Sequence, residues 1–285
     1  MLGIVVVSYR SDELTVRFVR EELSRIRIPH RSIVVDNGAT EAEASSLAAR
    51  LPEEVLVAAA AENLGFARGN NLGVRRLMEE GPCDAFLFVN NDIHFKTDDV
   101  VDRLYACLKA HPEAGVAGPE IVGTDGRRQS PEPYRSLGDR FVRMYLSTPF
   151  LSARKKAIRF RLDYSEKAVE GPHYKLMGAC LMVDADAFLR VGGFDEETFL
   201  YAEENILSER MRRIGRICYF YPEVTAVHAH GATISRHFSR SRALQAQFRS
   251  MAYYYRRYRH YPRWKTVLAA LVYYPVTVLT AVRHG

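Results

Sequence analysis

Two stretches of this 285-residue chain combine residue types and spacing that could do chemistry. In FLFVNNDIHF, residues 86–95, four strand-type apolar residues run directly into Asn90, Asn91 and Asp92. An Asp beside Asn side chains at a strand end can hold a hard divalent cation, which prefers oxygen ligands and keeps phosphate and water in its shell. The same triplet can instead close a turn by satisfying the local backbone. In GGFDEETFLYAEENILSERMRRIGR, Glu203 and Glu204 fall at or near a predicted helix start behind an aromatic-rich loop. A carboxylate there can act as a general base or merely as a partner of the helix dipole. Neighbouring helical residues diverge, so only one of the pair is expected to face a cleft.

Three further segments carry weaker signals. Asp36 in VVDNG can accept hydrogen bonds from a base or ribose, or can simply form a turn. ENLGFARGNN sets two glycines and Arg68 at a helix mouth, where backbone can approach an anion. His228 in VTAVHAHGATIS follows an apolar run and could be a metal or phosphate ligand or a structural residue.

The elements that must position these residues alternate. GIVVVSY, SIVVDN, EVLVAAA and AFLFVNN read as strands, separated by helical patterns through Leu14, Phe18, Val19 and Leu23, near residues 41–50, and through GFARGNNLGVRRLMEEG. Strands and helices at this spacing predict βαβ units and a parallel sheet covered on both faces. Ligands of such sheets bind at the carboxyl ends of the strands. Ser8, Tyr9, Asp36, Asn37, Asn63 and Asn90 to Asp92 all lie at or just past predicted strand ends, so they are expected on one edge of one sheet. A helix over 97–110, a strand at GVAGPEI, a weakly periodic stretch from 122 to 172, a strand and short helix in YKLMGACLMVDADAFLRVGG, a helix in YAEENILSERMRRIG and a strand in RICYFYP follow.

Composition bounds the partners. Cys83, Cys107, Cys180 and Cys218 form no CxxC pair, which argues for reduced cysteines and a cytosolic chain. MLGIVVVSYR has no basic n-region and reads as a first core strand rather than a signal peptide. The net charge of +6 hides an asymmetry: after Glu223 there are ten cations and no acid, leaving the first 223 residues at −4. A basic tail facing an anionic membrane surface or another polyanion is expected, against the plainer reading of a solvated helix face. A helix over roughly 239–260 carries Leu244, Phe248, Met251, Tyr255 and Tyr258 on one stripe. Residues 266–282 then form 17 residues without a charge, interrupted by Pro275. That is at the short limit for a span and fits a helix lying in the interface, with Trp264 and flanking cations near the headgroups; a core helix is the alternative. Nothing resembles a nucleic-acid-binding motif, so no nucleic-acid partner is expected.

Taken together, VVVSYR, VVDNG, ENLGFARGNN, FVNNDI, MGACLMV, GGFDEETFLYAEENILSER and VHAHGATIS resemble the family 2 glycosyltransferases of GT-A fold, especially the rhamnosyltransferase-like branch of bacterial surface polysaccharide synthesis. The resemblance covers residues 3 to about 260. It implies an α/β fold with a mostly parallel central sheet flanked by helices and followed by C-terminal amphipathic helices. The expected organisation is a transferase domain over 1–262, with a nucleotide-binding half at 1–95 and an acceptor half at 96–262, and a membrane-associating segment at 263–285. By position, Asp36 resembles the base-contacting Asp, and Asn63, Gly65, Arg68 and Asn70 resemble the segment lining the nucleotide and diphosphate. Ser8, Tyr9 and Asn91 join this donor-binding set. Asn90 and Asp92 occupy the ends of the family's D-x-D motif, which assigns Asp92 to a divalent cation, Mg²⁺ or Mn²⁺. Gly178 and Ala179 resemble the segment beside the donor sugar. Glu203 and Glu204 match the family's acid pair, with Glu204 as the base, Arg210 and Gly215 match its downstream Arg and Gly, and His228 resembles a His near the metal. Two departures stand out: Asn90 replaces an acid, and Ile206 stands where many relatives carry a further acid.

The implied activity is inverting transfer of a sugar, rhamnose or another hexose, from a nucleoside-diphosphate sugar to a hydroxyl of a glycan or polyprenyl-linked acceptor at the cytoplasmic face of the membrane. A nucleotidyltransferase and a noncatalytic nucleotide-sugar-binding protein are the alternatives.

Overall fold

The computed structural model describes residues 1–143, 168–229 and 240–282. The basic run ARKKAIRFR, Pro149 and Arg236 lie outside the described residues. Strands β1 (Leu2–Ser8), β2 (His30–Asn37), β3 (Val55–Ala60) and β4 (Ala85–Val89) form the parallel order β3-β2-β1-β4, with Ser8 opposite Asp36. Their near-continuous Val, Ile, Leu and Phe runs are buried throughout β1 and β4 because helices cover both faces. Alternation divides the side chains: Ile4, Val6, Leu87 and Val89 enter one core, and Val5, Phe86 and Phe88 enter the other. Helices α1 (Asp12–Glu21) and α4 (Val100–Ala110) contribute to the first, and α3 (Gly65–Glu79) to the second; α2 (Glu41–Ala48) packs beside β3.

Beyond β4 the sheet changes character. The remaining strands are β5 (Ile93–Phe95), β6 (Ala114–Gly123), β7 (Gly171–His173), β8 (Cys180–Asp184) and β9 (Ile217–His228). Strand β8 inserts antiparallel between β4 and β6, β6 pairs parallel with β9, and β5 turns back to pair antiparallel with the end of β9. β7 adds to β9 off this path. These antiparallel insertions do not follow from strand-helix alternation, since they join segments far apart in the chain, such as Val89 with Cys180 and Ile93 with His228. The result is a mixed sheet in an α/β fold: the first 90 residues supply four parallel strands, and β6 and β9 form a further parallel pair beyond the antiparallel β8.

Helices α5 (Ala185–Arg190) and α6 (Glu203–Arg213) pack on the second core face. The two C-terminal helices, α7 (Arg240–Arg257) and α8 (Arg263–Val282), build a third cluster with Leu137 and Phe141 from the 130s segment. The stripe expected on α7 is here: Phe248, Met251, Tyr255 and Tyr258 are buried, with Leu244 packed alongside. Helix α8 divides into two faces. Ala269 and Tyr273 are fully buried, with Tyr273 edge-on to Phe141 at 5.1 Å, whereas Trp264, Val267, Leu268 and Leu271 are exposed, Leu271 at 66%. One face of α8 thus packs as the core-helix expectation describes, and the other presents exposed apolar side chains. No helix among the described residues is long and apolar enough to cross a membrane.

Candidate active site

A cavity of about 770 Å³ opens at the carboxyl ends of β1, β2 and β4, within the range of small-molecule sites. One wall carries Tyr9, Asn37, Asn63, Gly65 and Asn90 to Asp92; the opposite wall carries Gly178, Ala179, Tyr201 to Asn205 and His228. Glu132, Arg135, Arg140 and Lys175 line a third side, with Gln247 and Met251 of α7 beside them.

The first wall is held by amide side chains. Asn37 donates from Nδ2 to Asn63 Oδ1 at 3.0 Å and accepts the Leu64 N–H at 2.7 Å, and Gly65 N donates to Asn63 Oδ1 at 3.0 Å. Gly65 has φ of +75°, and a Cβ there would stand 2.0 Å from the Phe199 carbonyl oxygen, so only glycine fits. Phe66 N donates to that same carbonyl at 3.0 Å, which fastens this loop to the segment leading into Glu203 and Glu204. Asp36 ends β2 in a buried position. Burial, with Asp12 and Glu43 nearby, pushes its carboxyl up to about 6.

The NND turn is brought against His228 by topology. Because β5 pairs with β9 so that Ile93 faces His228, Asp92 lies alongside the imidazole, and Asp92 Oδ1 and His228 Nε2 are 3.3 Å apart. His228 Nδ1 donates to Gln129 Oε1 at 2.9 Å, which orients the ring with Nε2 toward Asp92. Among the described residues there is no group of three or more His, Cys, Asp and Glu able to hold a metal. A divalent cation here would take two side chains from the chain and the rest of its shell from phosphate and water oxygens, which suits Mg²⁺ or Mn²⁺ and a diphosphate ligand. Asn91 faces inward, donating to Ser11 Oγ at 2.9 Å and Thr15 Oγ1 at 2.8 Å, and the Thr15 hydroxyl donates to Ser8 Oγ. This network moors the turn to α1.

The acid pair sits behind a strained entry. Tyr201 and Ala202 both have positive φ, 71° and 74°, a conformation that non-glycine residues seldom adopt and that concentrates at functional sites. Glu203 is buried, and its Oε1 has no hydrogen-bond partner among the described residues. Burial, reinforced by the neighbouring Glu204, raises its carboxyl well above the usual carboxylate range. Glu204 is half-buried and accepts the Gly178 N–H on Oε1 at 3.1 Å. Both acids line the cavity, unlike the expectation that only one would, Glu203 as a buried side chain and Glu204 as a half-buried one.

The loop before the pair is clamped. Asn71 on α3 donates to the Phe194 carbonyl and accepts the Phe194 N–H. Asp195 pairs with Arg210 at 3.1 Å and accepts from the hydroxyls of Tyr253 on α7 and Tyr258 just past its end. Burial would raise the Asp195 carboxyl, but these hydrogen bonds and Arg210 hold it below the ordinary value.

Of the residues singled out in the sequence, Tyr9, Asn63, Gly65, Asn90, Asn91, Asp92, Gly178, Ala179, Glu203, Glu204 and His228 line one cavity. Ser8, Asp36, Arg68 and Asn70 do not line it. Ser8 is enclosed by its hydroxyl network, Arg68 Nε donates to the Glu196 carbonyl, and Asn70 donates to the Phe66 carbonyl. Gln129, Glu132, Arg135, Arg140 and Lys175 were not singled out. They come from the weakly periodic 122–172 stretch and its edge, where the pattern carries no signal of which face is inside.

No protein-family model matches the chain. By sequence it is 28% identical over 244 residues to N-acetylglucosaminyl-diphospho-decaprenol L-rhamnosyltransferase of Mycobacterium tuberculosis, an alignment covering 80% of this chain and 76% of that protein. It is 25% identical over 218 residues to the low-salt glycan biosynthesis hexosyltransferase Agl10 of Haloferax volcanii, covering 74% and 62%. Rhamnosyltransferase WbbL of Escherichia coli is 26% identical over 168 residues, covering 58% and 60%. Among solved structures, GalNAc-T7 with UDP, GalNAc and Mn²⁺ superposes with a TM-score of 0.58 at 12% identity over 80% of this chain and 43% of that one. The mannosyltransferase PcManGT of Pyrobaculum calidifontis with GDP-Man and Mn²⁺ gives 0.54 at 15% identity, covering 99% and 79%. These relatives are glycosyltransferases rather than nucleotidyltransferases or binding proteins, and the chain is a glycosyltransferase of the GT-A fold.

Proposed function

We propose that the chain moves a sugar, rhamnose or another hexose, from a nucleoside-diphosphate sugar to a hydroxyl of a polyprenyl-linked glycan in surface polysaccharide synthesis, with inversion at the anomeric carbon. One observation carries the reading. Asn90 N donates to the Ala179 carbonyl at 2.9 Å, and Gly178 N donates to Glu204 Oε1, so the Asp92 turn and the Glu204 carboxylate are tied to adjacent residues of one strand approach. A diphosphate beside Asp92 and a hydroxyl beside Glu204 would then flank a single sugar.

The residues divide the work. Asp36, Tyr9, Asn63 and Gly65, with Arg68 and Asn70 behind them on α3, form the nucleoside side, and Ser8 and Asn91 hold its shape. Asp92 and His228 would hold a divalent cation, Mg²⁺ or Mn²⁺, which when bound neutralises charge on the departing diphosphate. Gly178 and Ala179 border the donor sugar. Glu204 removes the acceptor proton, since a hydroxyl attacks an anomeric carbon poorly until a base takes that proton. Glu203 sits beside it, and burial with the neighbouring Glu204 raises its affinity for a proton, which leaves it ill suited to be the base.

The exposed apolar face of α8, flanked by Arg263 and Lys265, supports docking on an anionic membrane surface at its cytoplasmic side, where a lipid-linked acceptor would be met. The experiment is a screen of nucleoside-diphosphate sugars with Mn²⁺, read as release of nucleoside diphosphate and as thermal stabilisation, about 2.7 kcal/mol at a hundredfold excess over the dissociation constant. Release of pyrophosphate, or binding of every sugar without turnover on any acceptor, would count against it.

A further inference from the structure

Glu203 lines the cavity without a role in the transfer step. It is 4% exposed, and its Oε1 has no hydrogen-bond partner among the described residues. A buried carboxyl oxygen left unpaired is costly, and in a native structure it calls for a functional reason. The charged groups that act on it are committed elsewhere. Glu204 accepts the Gly178 N–H, and Lys175 pairs with Glu132 Oε1 at 3.1 Å. The backbone leading to Glu203 is also held in place. Two successive non-glycine residues at positive φ, Tyr201 and Ala202, persist only where the surrounding fold over-determines them.

The faces of α6 show which side of the base Glu203 occupies. Residues three apart share a side of a helix, and Ile206, three beyond Glu203, is fully buried in the cluster that Phe248 and Met251 of α7 help to form. Ala202, directly before Glu203, belongs to the same cluster. Glu204 is turned about 100° from Glu203 around the helix and bonds Gly178, at the approach to β8. Glu203 therefore lies on the α7 side of the base, and Gly178 on the other. Helix α7 meets the cavity with Ala243, Gln247 and Met251, which recur at four-residue steps along one face. With the donor sugar bordering Gly178, the space between Glu203 and that face is where a hydroxyl-bearing substrate can reach Glu204.

Resting on the glycosyl-transfer reading, we infer that the Glu203 carboxyl binds a hydroxyl of the acceptor sugar other than the one attacked, and so selects which sugar is glycosylated. A hydroxyl can both donate and accept, and a protonated carboxyl can answer in both senses. Burial and the neighbouring Glu204 favour the proton on Glu203. A sugar without that hydroxyl would leave the buried carboxyl unpaired, which discriminates more sharply than the loss of an apolar contact.

The test gives the full chain Mn²⁺, the donor found in the nucleoside-diphosphate-sugar screen, and the octyl glycosides of glucose, galactose, mannose, rhamnose and N-acetylglucosamine. Monodeoxy forms of each glycoside that accepts sugar follow. In the wild type, removal of one hydroxyl that is not the site of transfer should lower kcat/KM by about 10²-fold or more. Glu203→Ala should treat that deoxy form and its parent alike, whereas Glu203→Gln, which keeps a donor and an acceptor, should still tell them apart. Nucleoside diphosphate with Mn²⁺ should bind the wild type and both variants equally. A wild type in which no such deletion costs as much as about tenfold overturns the subsite, and this comparison decides even if Glu203→Ala does not fold. So does a folded Glu203→Ala that discriminates as the wild type does. Loss of nucleoside-diphosphate affinity in the variants would assign Glu203 to the donor. Transfer to none of the glycosides, by a wild type that releases nucleoside diphosphate from its donor, would mean that acceptor choice does not run through sugar hydroxyls; each of these also overturns it. A wild type that releases nucleoside diphosphate from no nucleoside-diphosphate sugar fails the transferase reading instead, which keeps the two failures distinct.

Discussion

Glu204 Oε1 accepts the Gly178 N–H at 3.1 Å, and a Cβ placed on Gly178 would stand 2.5 Å from that same oxygen. The carboxylate and the glycine therefore fit each other. One backbone donor aims the acid, and the missing side chain is what lets it come that close.

That fit predicts the outcome of Gly178→Ala. The atom in the way is the end of a flexible side chain, so the fold should tolerate the methyl while Glu204 moves aside. Misplacement of a reacting group by about 1 Å can cost about 10²-fold. Turnover should fall by about 10- to 100-fold with the melting temperature nearly unchanged, as measured by steady-state kinetics and thermal melts on one preparation.

Glu204→Gln keeps size and removes proton-accepting power, so turnover should drop by about 10² or more with donor affinity preserved. Glu203→Gln should be mild by comparison, because the native side chain already favours its protonated form. A dead Glu203→Gln beside an active Glu204→Gln would reverse the assignment.

For the cation, Asp92→Asn should abolish divalent-dependent binding of nucleoside diphosphate while leaving the melt intact. Gln129→Ala should weaken cation affinity by about 10- to 100-fold, since it removes the partner that orients His228. Titration of Mn²⁺ in the presence of nucleoside diphosphate reads both; unaltered cation affinity in Asp92→Asn would remove Asp92 from the site.

The pH dependence expected of Asp36 has a definite sign. Its carboxyl stands at about 6 in the fold against 3.8 ordinarily, so between those values the folded state binds more protons than the unfolded one. Stability therefore falls as pH rises through this window, and the loss is complete above about 6. Asp36→Asn should melt higher than wild type at pH 7.5 but not at pH 3.5. Nucleotide affinity should move the other way, weakening in the wild type as pH drops below about 6 because a protonated carboxyl loses acceptor capacity. A melting difference that is the same at both pH values would dissociate Asp36 from the effect.

On α8 the two faces should respond differently. Trp264→Ser and Leu271→Ser alter exposed positions and should change stability by no more than about 0.5 kcal/mol. Each should weaken binding to phosphatidylglycerol vesicles by tenfold or more, since burying such a side chain contributes about 1.5–3 kcal/mol. Tyr273→Ala, at a fully buried position, should cost about 3–5 kcal/mol. Flotation and chemical denaturation separate the two effects, and vesicle binding indifferent to both exposed substitutions would leave the membrane face without support.

What the sequence determined by itself was local and periodic. Continuous apolar runs at β1, β2, β3 and β4, separated by amphipathic helices, required a parallel sheet, and that sheet in turn required Tyr9, Asn63 and Asn90 to Asp92 to share an edge. Helix α6 and the acids at its start were equally legible, because a 3.6-residue pattern and an acidic first turn are properties of neighbouring residues. The tertiary structure alone decided which distant groups meet. The antiparallel return of β5 onto β9 puts His228 against Asp92 across 136 positions of chain, and nothing local in either segment encodes that register. The roles of the polar residues were decided in the same way. Ser8 looks like its cavity-lining neighbours in sequence yet is enclosed, and Asn91, which does line the cavity, gives its amide donors to Thr15 and Ser11, since a polar side chain takes whichever partner the packed fold supplies. The cation wall of Lys175, Arg135 and Arg140 was invisible for a related reason. Single charges in an aperiodic stretch read as solvated, and only the assembled fold brings these three to the wall of one cavity.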